Sequence, residues 1–155
     1  METERLGTHA GKDVFLILCT LQGLIQDELG FSSAGFVAVI LLGEKAWETR
    51  QVYAALRRLY LEKANYLMFH GLKAEKAHDI ADQVRIELPI DVETEANVIF
   101  TTWHTEESIQ PVVWEALHAS IPAEDRISAW SAYAFFCLDE QQREDARAEL
   151  NRLIV

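Results

Sequence analysis

Five short apolar runs alternate along the chain with segments of helical periodicity. The runs are nearly continuous in Val, Ile, Leu and Phe, which is typical of strands that are covered on both faces. We therefore predict strands at Val14–Cys19, Phe36–Leu42, Asn65–Phe69, Asn97–Thr102 and Ala132–Leu138.

The segments between these runs place apolar residues on one side of a helix. Residues 74–85, for example, repeat apolar side chains at i, i+3, i+4 and i+7 from Ala77 onwards, the spacing of a single helix face. Asp139, with Gln142 three residues later, predicts the N-cap of the last helix. The predicted helices cover residues 21–30, 45–63, 74–85, 109–119 and 140–154.

Strand and helix alternate five times, which is the pattern of a parallel sheet with helices on both faces. We expect one α/β domain over residues 1–155, with three layers and a mostly parallel five-stranded sheet. A flavodoxin-like or Rossmann-like strand order is expected, and 2-1-3-4-5 is the order we predict. The pattern does not fix the direction of the last strand.

The two cysteines and the length of the apolar runs bear on where the protein works. Cys19 and Cys137 lie inside apolar runs, so we expect buried, reduced thiols rather than a disulfide or a nucleophile. The chain does not begin with a charged segment followed by an apolar one, as a signal peptide would. The longest apolar runs are too short to span a bilayer. These features predict a cytoplasmic protein that does not bind membranes.

Negative charge is concentrated in one part of the chain. The net charge is −11, and residues 86–125 hold nine acidic side chains without a Lys or Arg. Such a chain repels phosphate backbones, so we do not expect a nucleic acid partner. It could instead attract a basic protein or a cation. Glu93 and Glu95 lie in a predicted surface loop of this stretch, where we expect a basic partner to dock.

Ligands of open α/β sheets bind outside the carboxyl ends of the strands. The fourth apolar run is followed there by Trp103, His104 and two glutamates. A proline well inside a helix costs ~3 kcal/mol, so Pro111 favours a helix that begins after Ser108 and a loop over residues 103–107. His70 follows the third run. His70 and His104 should then emerge from neighbouring strands at the same edge of the sheet.

Three interpretations of these residues remain open. His104 could bind a divalent metal together with Glu106, Glu107 and His70, because imidazole and carboxylate groups suit such ions, although no ligand-spacing motif supports a metal site. His104 could also act as a general base, with a nearby nucleophile such as Cys19 or Thr102. The simplest interpretation is that His104 forms hydrogen bonds within an ordered loop and that Trp103 belongs to the core.

The predicted helix over residues 45–63 carries aromatic and basic side chains together. Trp47 lies near Arg50, and tyrosines and further arginines follow it. Trp, Tyr and Arg are enriched at the centres of protein interfaces, so Trp47 is a candidate for binding. Packing of Trp47 on the sheet explains the pattern equally well.

Two segments resemble a family of small uncharacterised bacterial proteins. Residues 98–109 read Val-Ile-Phe-Thr-Thr-Trp-His-Thr-Glu-Glu-Ser-Ile, and residues 113–117 read Val-Trp-Glu-Ala-Leu. The Thr-Thr-Trp-His element at residues 101–104 is the specific part of the likeness. His78 stands where members of that family tend to have Trp. The resemblance implies a bacterial origin and a role for residues 102–104, and it implies no particular activity or cofactor.

The sequence thus supports two hypotheses about function. The first is a protein-binding module, in the manner of an immunity protein, antitoxin or adaptor, with a possibly basic protein partner and candidate binding residues Trp103, Glu93, Glu95 and Trp47. The alternative is an enzyme that acts on a small molecule or depends on a metal, with candidate catalytic residues His104, Glu106, Glu107 and His70. A homo-oligomer is compatible with either hypothesis, and no motif identifies a cofactor.

Overall fold

The computed structural model describes residues 1–32, 34–88, 99–120 and 130–154. This part of the chain forms six strands: β1 (Glu2–His9), β2 (Lys12–Leu18), β3 (Phe36–Gly43), β4 (Ala64–Gly71), β5 (Phe100–His104) and β6 (Ala132–Cys137). It also forms five helices: α1 (Leu21–Gln26), α2 (Thr49–Leu61), α3 (Ala74–Glu87), α4 (Gln110–His118) and α5 (Glu140–Leu153). Strands and helices alternate after β2, as the apolar pattern predicted.

All six strands belong to one mixed sheet in the order β1-β2-β6-β3-β4-β5. Strands β2 to β6 run parallel to one another, and β1 is antiparallel to β2. The mostly parallel α/β architecture is therefore confirmed. The predicted number of strands and the predicted order 2-1-3-4-5 are wrong, because β6 lies in the middle of the sheet and β1 adds a sixth strand.

The helices divide between the two faces of the sheet. Alternate residues of β3 point to opposite sides: Ala38 and Ile40 pack with α1, α2 and α3, whereas Val37 and Val39 pack with α4 and α5. Both faces of β3 are buried, which explains why its sequence is continuously apolar. These contacts confirm three layers. After β5 the chain crosses back over the second face through α4. This connection places β6 between β2 and β3.

Strand β1 was not predicted, because its sequence Glu-Thr-Glu-Arg-Leu-Gly-Thr-His is polar on both sides. It is joined to β2 by a tight turn in which Ala10 and Gly11 have φ values of 49° and 76°. Its register with β2 shifts between Arg5 and Gly7, as in a β-bulge. It forms ion pairs with its neighbours, including that of Arg5 with Asp13 at 2.7 Å. The hairpin thus closes one edge of the sheet with charged side chains.

The predicted helix starts are reproduced to within a few residues. In α5, Asp139 Oδ1 accepts a hydrogen bond of 2.8 Å from the Gln142 amide, as its predicted N-cap role requires. Helix α4 begins at Gln110 with Ile109 as N-cap, one residue later than expected. Pro111 therefore occupies the second helical position, where its missing N–H is not needed. Helix α2 begins at Thr49 rather than at residue 45.

The two cysteines are buried and not joined to each other, which confirms the prediction of core thiols. None of the described helices combines the length and the apolar character that crossing a bilayer demands.

Candidate functional site

The carboxyl ends of β4 and β5 bring the two predicted histidines together. His70 and His104 are direct partners in the parallel register of β4 with β5. The prediction that they emerge from neighbouring strands at one edge of the sheet is therefore confirmed. Registered residues of parallel strands point to the same face, and here that face is the one covered by α4.

His70 fixes the segment that follows β5. Its Nε2 atom lies 2.7 Å from the carbonyl oxygen of Glu106 and 3.1 Å from that of Ser108. Carbonyl oxygens only accept hydrogen bonds, so Nε2 carries the proton and donates to both. The ring is 5% exposed. His70 thus holds the β5–α4 connection against β4, and its Nε2 atom is occupied by these two hydrogen bonds.

His104 lies between two carboxylates. Its Nε2 atom is 2.7 Å from Glu115 Oε2, and its Nδ1 atom is 3.5 Å from Glu106 Oε2. The contact with Glu115 is short but lies off the direction of a well-formed hydrogen bond. Glu115 projects from α4, so the histidine connects the end of β5 to both the following loop and the helix above it.

A row of polar side chains continues from His104 along the same face. Thr102 precedes it by two residues, and Tyr66 lies on β4 beneath α4. Burial raises the pKa of Tyr66, the negative charge of Glu115 raises it further, and the contact with Thr102 acts in the opposite direction. The raised pKa keeps the Tyr66 phenol protonated at neutral pH. The Thr102 hydroxyl oxygen is buried without a well-formed hydrogen bond among the described residues.

The opposite face of β5 carries an exposed tryptophan. Trp103 is 44% exposed, and its ring lies 4.5 Å from that of His78 on α3. Beside it, Thr101 Oγ1 donates a hydrogen bond of 3.3 Å to Asp82. The expectation that Trp103 belongs to the core is wrong. The expectation of a loop over residues 103–107 is wrong for Trp103 and His104, which complete the strand, and is confirmed for residues 105–107.

Strand β5 lies at the end of the sheet and pairs only with β4 among the described strands. Phe100, also 44% exposed, lies on the α4 side of the strand and contacts the Tyr66 ring at 5.8 Å. Phe100 and Trp103 therefore present aromatic surface on both faces of this edge. We call β5, together with the carboxylates that flank it on α3, on α4 and in the β5–α4 loop, the β5 surface. These are Asp79, Asp82, Glu106 and Glu115. Glu107, which follows Glu106 in the chain, faces α5 instead.

The carboxylates of the β5 surface differ in exposure. The side chain of Glu106 is 55% exposed and that of Asp82 is 53% exposed, so both can contact a partner. Glu107 is exposed and lines an open groove between the start of α4 and α5. In the part of the chain that the structure describes, no group of three His, Cys, Asp or Glu side chains is placed to hold a metal ion.

The remaining predicted binding residues lie elsewhere. Trp47 is 9% exposed and packs in the core beneath α2 and α3. The Nζ atoms of Lys73 and Lys76 lie 5.8 Å and 5.4 Å from its ring, so these lysines cover the little surface that it shows. Glu93 and Glu95 lie outside the described residues.

The suggested nucleophile Cys19 is not near His104. Cys19 follows β2, which is four strand positions from β5, a separation of roughly 19 Å at the usual strand spacing. Burial raises the pKa of the Cys19 thiol to about 12, so the reactive thiolate is scarce at neutral pH. The structure therefore does not pair this thiol with the histidine.

Several residues in or beside the β5 surface were not predicted as site residues. The alternation of strand residues could have grouped Tyr66, His70, Thr102 and His104 on one face, because side chains two apart share a face. Glu115, His78 and Asp82 are brought in by helix packing. Their own sequence context carries no signal for that.

A search of curated proteins finds no match to this chain. A family model does match, over residues 21–153, which include α1 to α5, β3 to β6 and the whole β5 surface. The chain therefore belongs to the family described as Domain of unknown function (DUF7684).

Proposed function

We propose that the protein is a protein-binding module that docks a basic partner on the β5 surface. The observation that carries this proposal is the presence of two large aromatic side chains, Phe100 and Trp103, each 44% exposed on a strand at the end of the sheet. Trp, with Tyr and Arg, is enriched among the residues that dominate binding energy at interfaces.

Charge favours a basic partner. Asp79 and Asp82 contact His78, whose ring lies against Trp103 on one face, and Glu106 contacts His104 on the other. The whole chain has a net charge of −11. An acidic surface of this kind accelerates encounter with a basic protein and discriminates against acidic ones. A cation of the partner could also lie over the exposed part of the Trp103 ring.

The histidines at the strand ends fit a binding role better than catalysis. The proton on His70 Nε2 is held by two carbonyl oxygens, and both nitrogens of His104 face carboxylates. These contacts hold the β5–α4 loop in place, which presents Glu106 at a fixed position. The proposed setting, a bacterial cytoplasmic immunity protein, antitoxin or adaptor, is supported by the resemblance at residues 98–117 and by the acidic composition.

A comparison of two tryptophan variants tests the proposal. Trp103→Thr removes the exposed aromatic but keeps a residue that favours strands. Trp114 is 54% exposed on α4, and its ring stacks on His118, which contacts His9 of β1. Trp114→Gln therefore removes an exposed tryptophan outside the β5 surface and is the matched control. Tagged wild-type protein and both variants would be used to capture partners from lysate of the source organism, with washes of rising salt concentration.

We expect the wild type and Trp114→Gln to retain the same basic protein at low salt and to release it as salt rises. Trp103→Thr should lose it at every salt concentration while keeping the wild-type melting temperature. Capture that is equal for all three proteins, or lost only with Trp114→Gln, contradicts docking on the β5 surface.

A further inference from the structure

The two ends of the sheet are built differently. At the β1 end, the strand carries Glu2, Glu4 and Arg5, and its register is broken between Arg5 and Gly7. Charged side chains and β-bulges are the devices with which proteins prevent edge strands from pairing with other chains. The glutamates of β1 are further held by arginines of α5. This edge is therefore protected against an additional strand.

Strand β5 has none of these devices. Its sequence is Phe-Thr-Thr-Trp-His, without a Lys, Glu, Asp or Pro, and its register with β4 is continuous over all five residues. Phe, Thr and Trp are strong strand formers. No described residue pairs with the outer side of β5. An unprotected edge of this kind exposes a row of backbone N–H and C=O groups that another strand can use.

We propose that the partner binds by strand addition, with an extended basic segment that pairs as a seventh strand with the outer edge of β5. The inference rests on the proposed function and specifies its mode. In strand addition, backbone hydrogen bonds supply affinity and alternate side chains supply specificity. Side chains of the added strand would fall alternately beside Trp103 and Asp82 on one face, and beside Phe100 and Glu106 on the other.

A basic segment fits this edge better than a second copy of the chain. Pairing of β5 with its own copy would bring together two acidic surfaces, each with Asp82 and Glu106 beside the strand. Like charges placed across an interface disfavour association. Arginine or lysine side chains, in contrast, would complement Asp82 on one face and Glu106 on the other.

The probe for a direct test is a synthetic peptide of sequence Arg-Arg-Val-Val-Arg-Arg, acetylated and amidated at its ends, which places arginines on both faces of an added strand. Its matched control has the same sequence with a methyl group on every backbone nitrogen, which keeps all charges and removes the hydrogen-bond donors. Backbone amide shifts of the intact, isotope-labelled chain would be followed as each peptide is added. The β1 amides act as the internal control, because they belong to the protected edge.

Strand addition predicts saturable shifts of the β5 amides, Phe100 to His104, with little change at β1. The methylated peptide should bind at least tenfold more weakly. Equal binding of both peptides at β5 overturns strand addition but leaves docking of a basic partner intact. If neither peptide moves the β5 amides, both proposals fail at this site. Shifts of β5 on simple concentration of the protein would identify a second copy as the occupant and overturn the basic segment.

Discussion

Gly71 pairs with Gly43 at the carboxyl ends of β3 and β4. Its φ is +136°, and a Cβ atom there would lie 2.5 Å from the carbonyl oxygen of Gly43. The clashing atoms belong to the backbone of Gly43, which cannot move away by a side-chain rotation. We predict that Gly71→Ala lowers the free energy of unfolding by about 3 kcal/mol, from steric overlap and an unfavourable φ together.

Gly11→Ala is the control for this variant. Gly11 also has a positive φ, +76°, but no atom lies within 4 Å of the position of its Cβ. Only the left-handed backbone conformation is penalised, by roughly 1–2 kcal/mol. Urea denaturation of both variants measures the difference. Equal losses of stability would show that the approach of Gly71 to Gly43 is not as close as the structure has it.

A hydrogen bond between Tyr53 and Glu87 joins α2 to α3. The Tyr53 hydroxyl donates a hydrogen bond to Glu87, which holds the pKa of that carboxyl below its ordinary value; a hydrogen bond from Gln83 lowers it further. Because the pKa of Glu87 is lower in the folded protein, the ionised carboxyl stabilises the folded state. This stabilisation is present above the unfolded pKa of Glu87. It is lost as the pH falls through the folded value.

Tyr53→Phe should therefore raise the pKa of Glu87 toward its ordinary value, while Gln83 keeps it slightly low. The measurement is an NMR titration of the Glu87 side-chain carboxyl carbon in the wild type and in the variant. A pKa unchanged by the substitution would mean that the hydrogen bond between α2 and α3 does not form in solution.

The strands and helices could be predicted from the sequence wherever burial imposes a periodicity. The central strands β3 and β6 are almost entirely apolar and β4 mostly so, and Asp139 marks the start of α5 by its capping chemistry. Strand β1 escaped prediction because an edge strand with charged side chains has no apolar pattern. The position of β6 escaped it because a buried strand reads the same anywhere in the middle of a sheet.

Hydrogen exchange tests the assignment of edge and central strands. Amides of β3 and β6, which are paired on both sides, should be the slowest to exchange. Amides of β5 should exchange faster, because those on its outer side have no strand partner in the described part of the chain and open locally at low cost. Protection of β5 in the isolated protein as strong as that of β3 would mean that its outer edge is already covered, and strand addition would then be excluded.

The geometry of the candidate site was predictable in part. Its position at the carboxyl ends of β4 and β5, and the pairing of His70 with His104, follow from the topology of parallel strands. The exposure of Trp103 could not be deduced, because an edge position depends on strand order. The role of Glu115 depends on how α4 packs over the sheet, which periodicity does not fix.

In the described part of the chain, the sheet has one charged edge, β1, and one aromatic edge, β5. The glutamates of β1 have arginine partners. The β5 surface has no described arginine or lysine paired with its carboxylates, whose described contacts at salt-bridge distance are with His78 and His104. The charge of these carboxylates is therefore not neutralised by a described Arg or Lys side chain, which is why we propose this surface for a basic partner.

Docking on the β5 surface is tested by the salt dependence of partner binding in two charge-matched variants. Asp82→Asn with Glu106→Gln removes two carboxylates from the β5 surface, and Glu2→Gln with Glu4→Gln removes two from the opposite edge. We predict that only the first pair weakens binding of the captured partner and flattens its dependence on salt. Unchanged affinity in the first pair, or an equal loss in both, would contradict docking on the β5 surface.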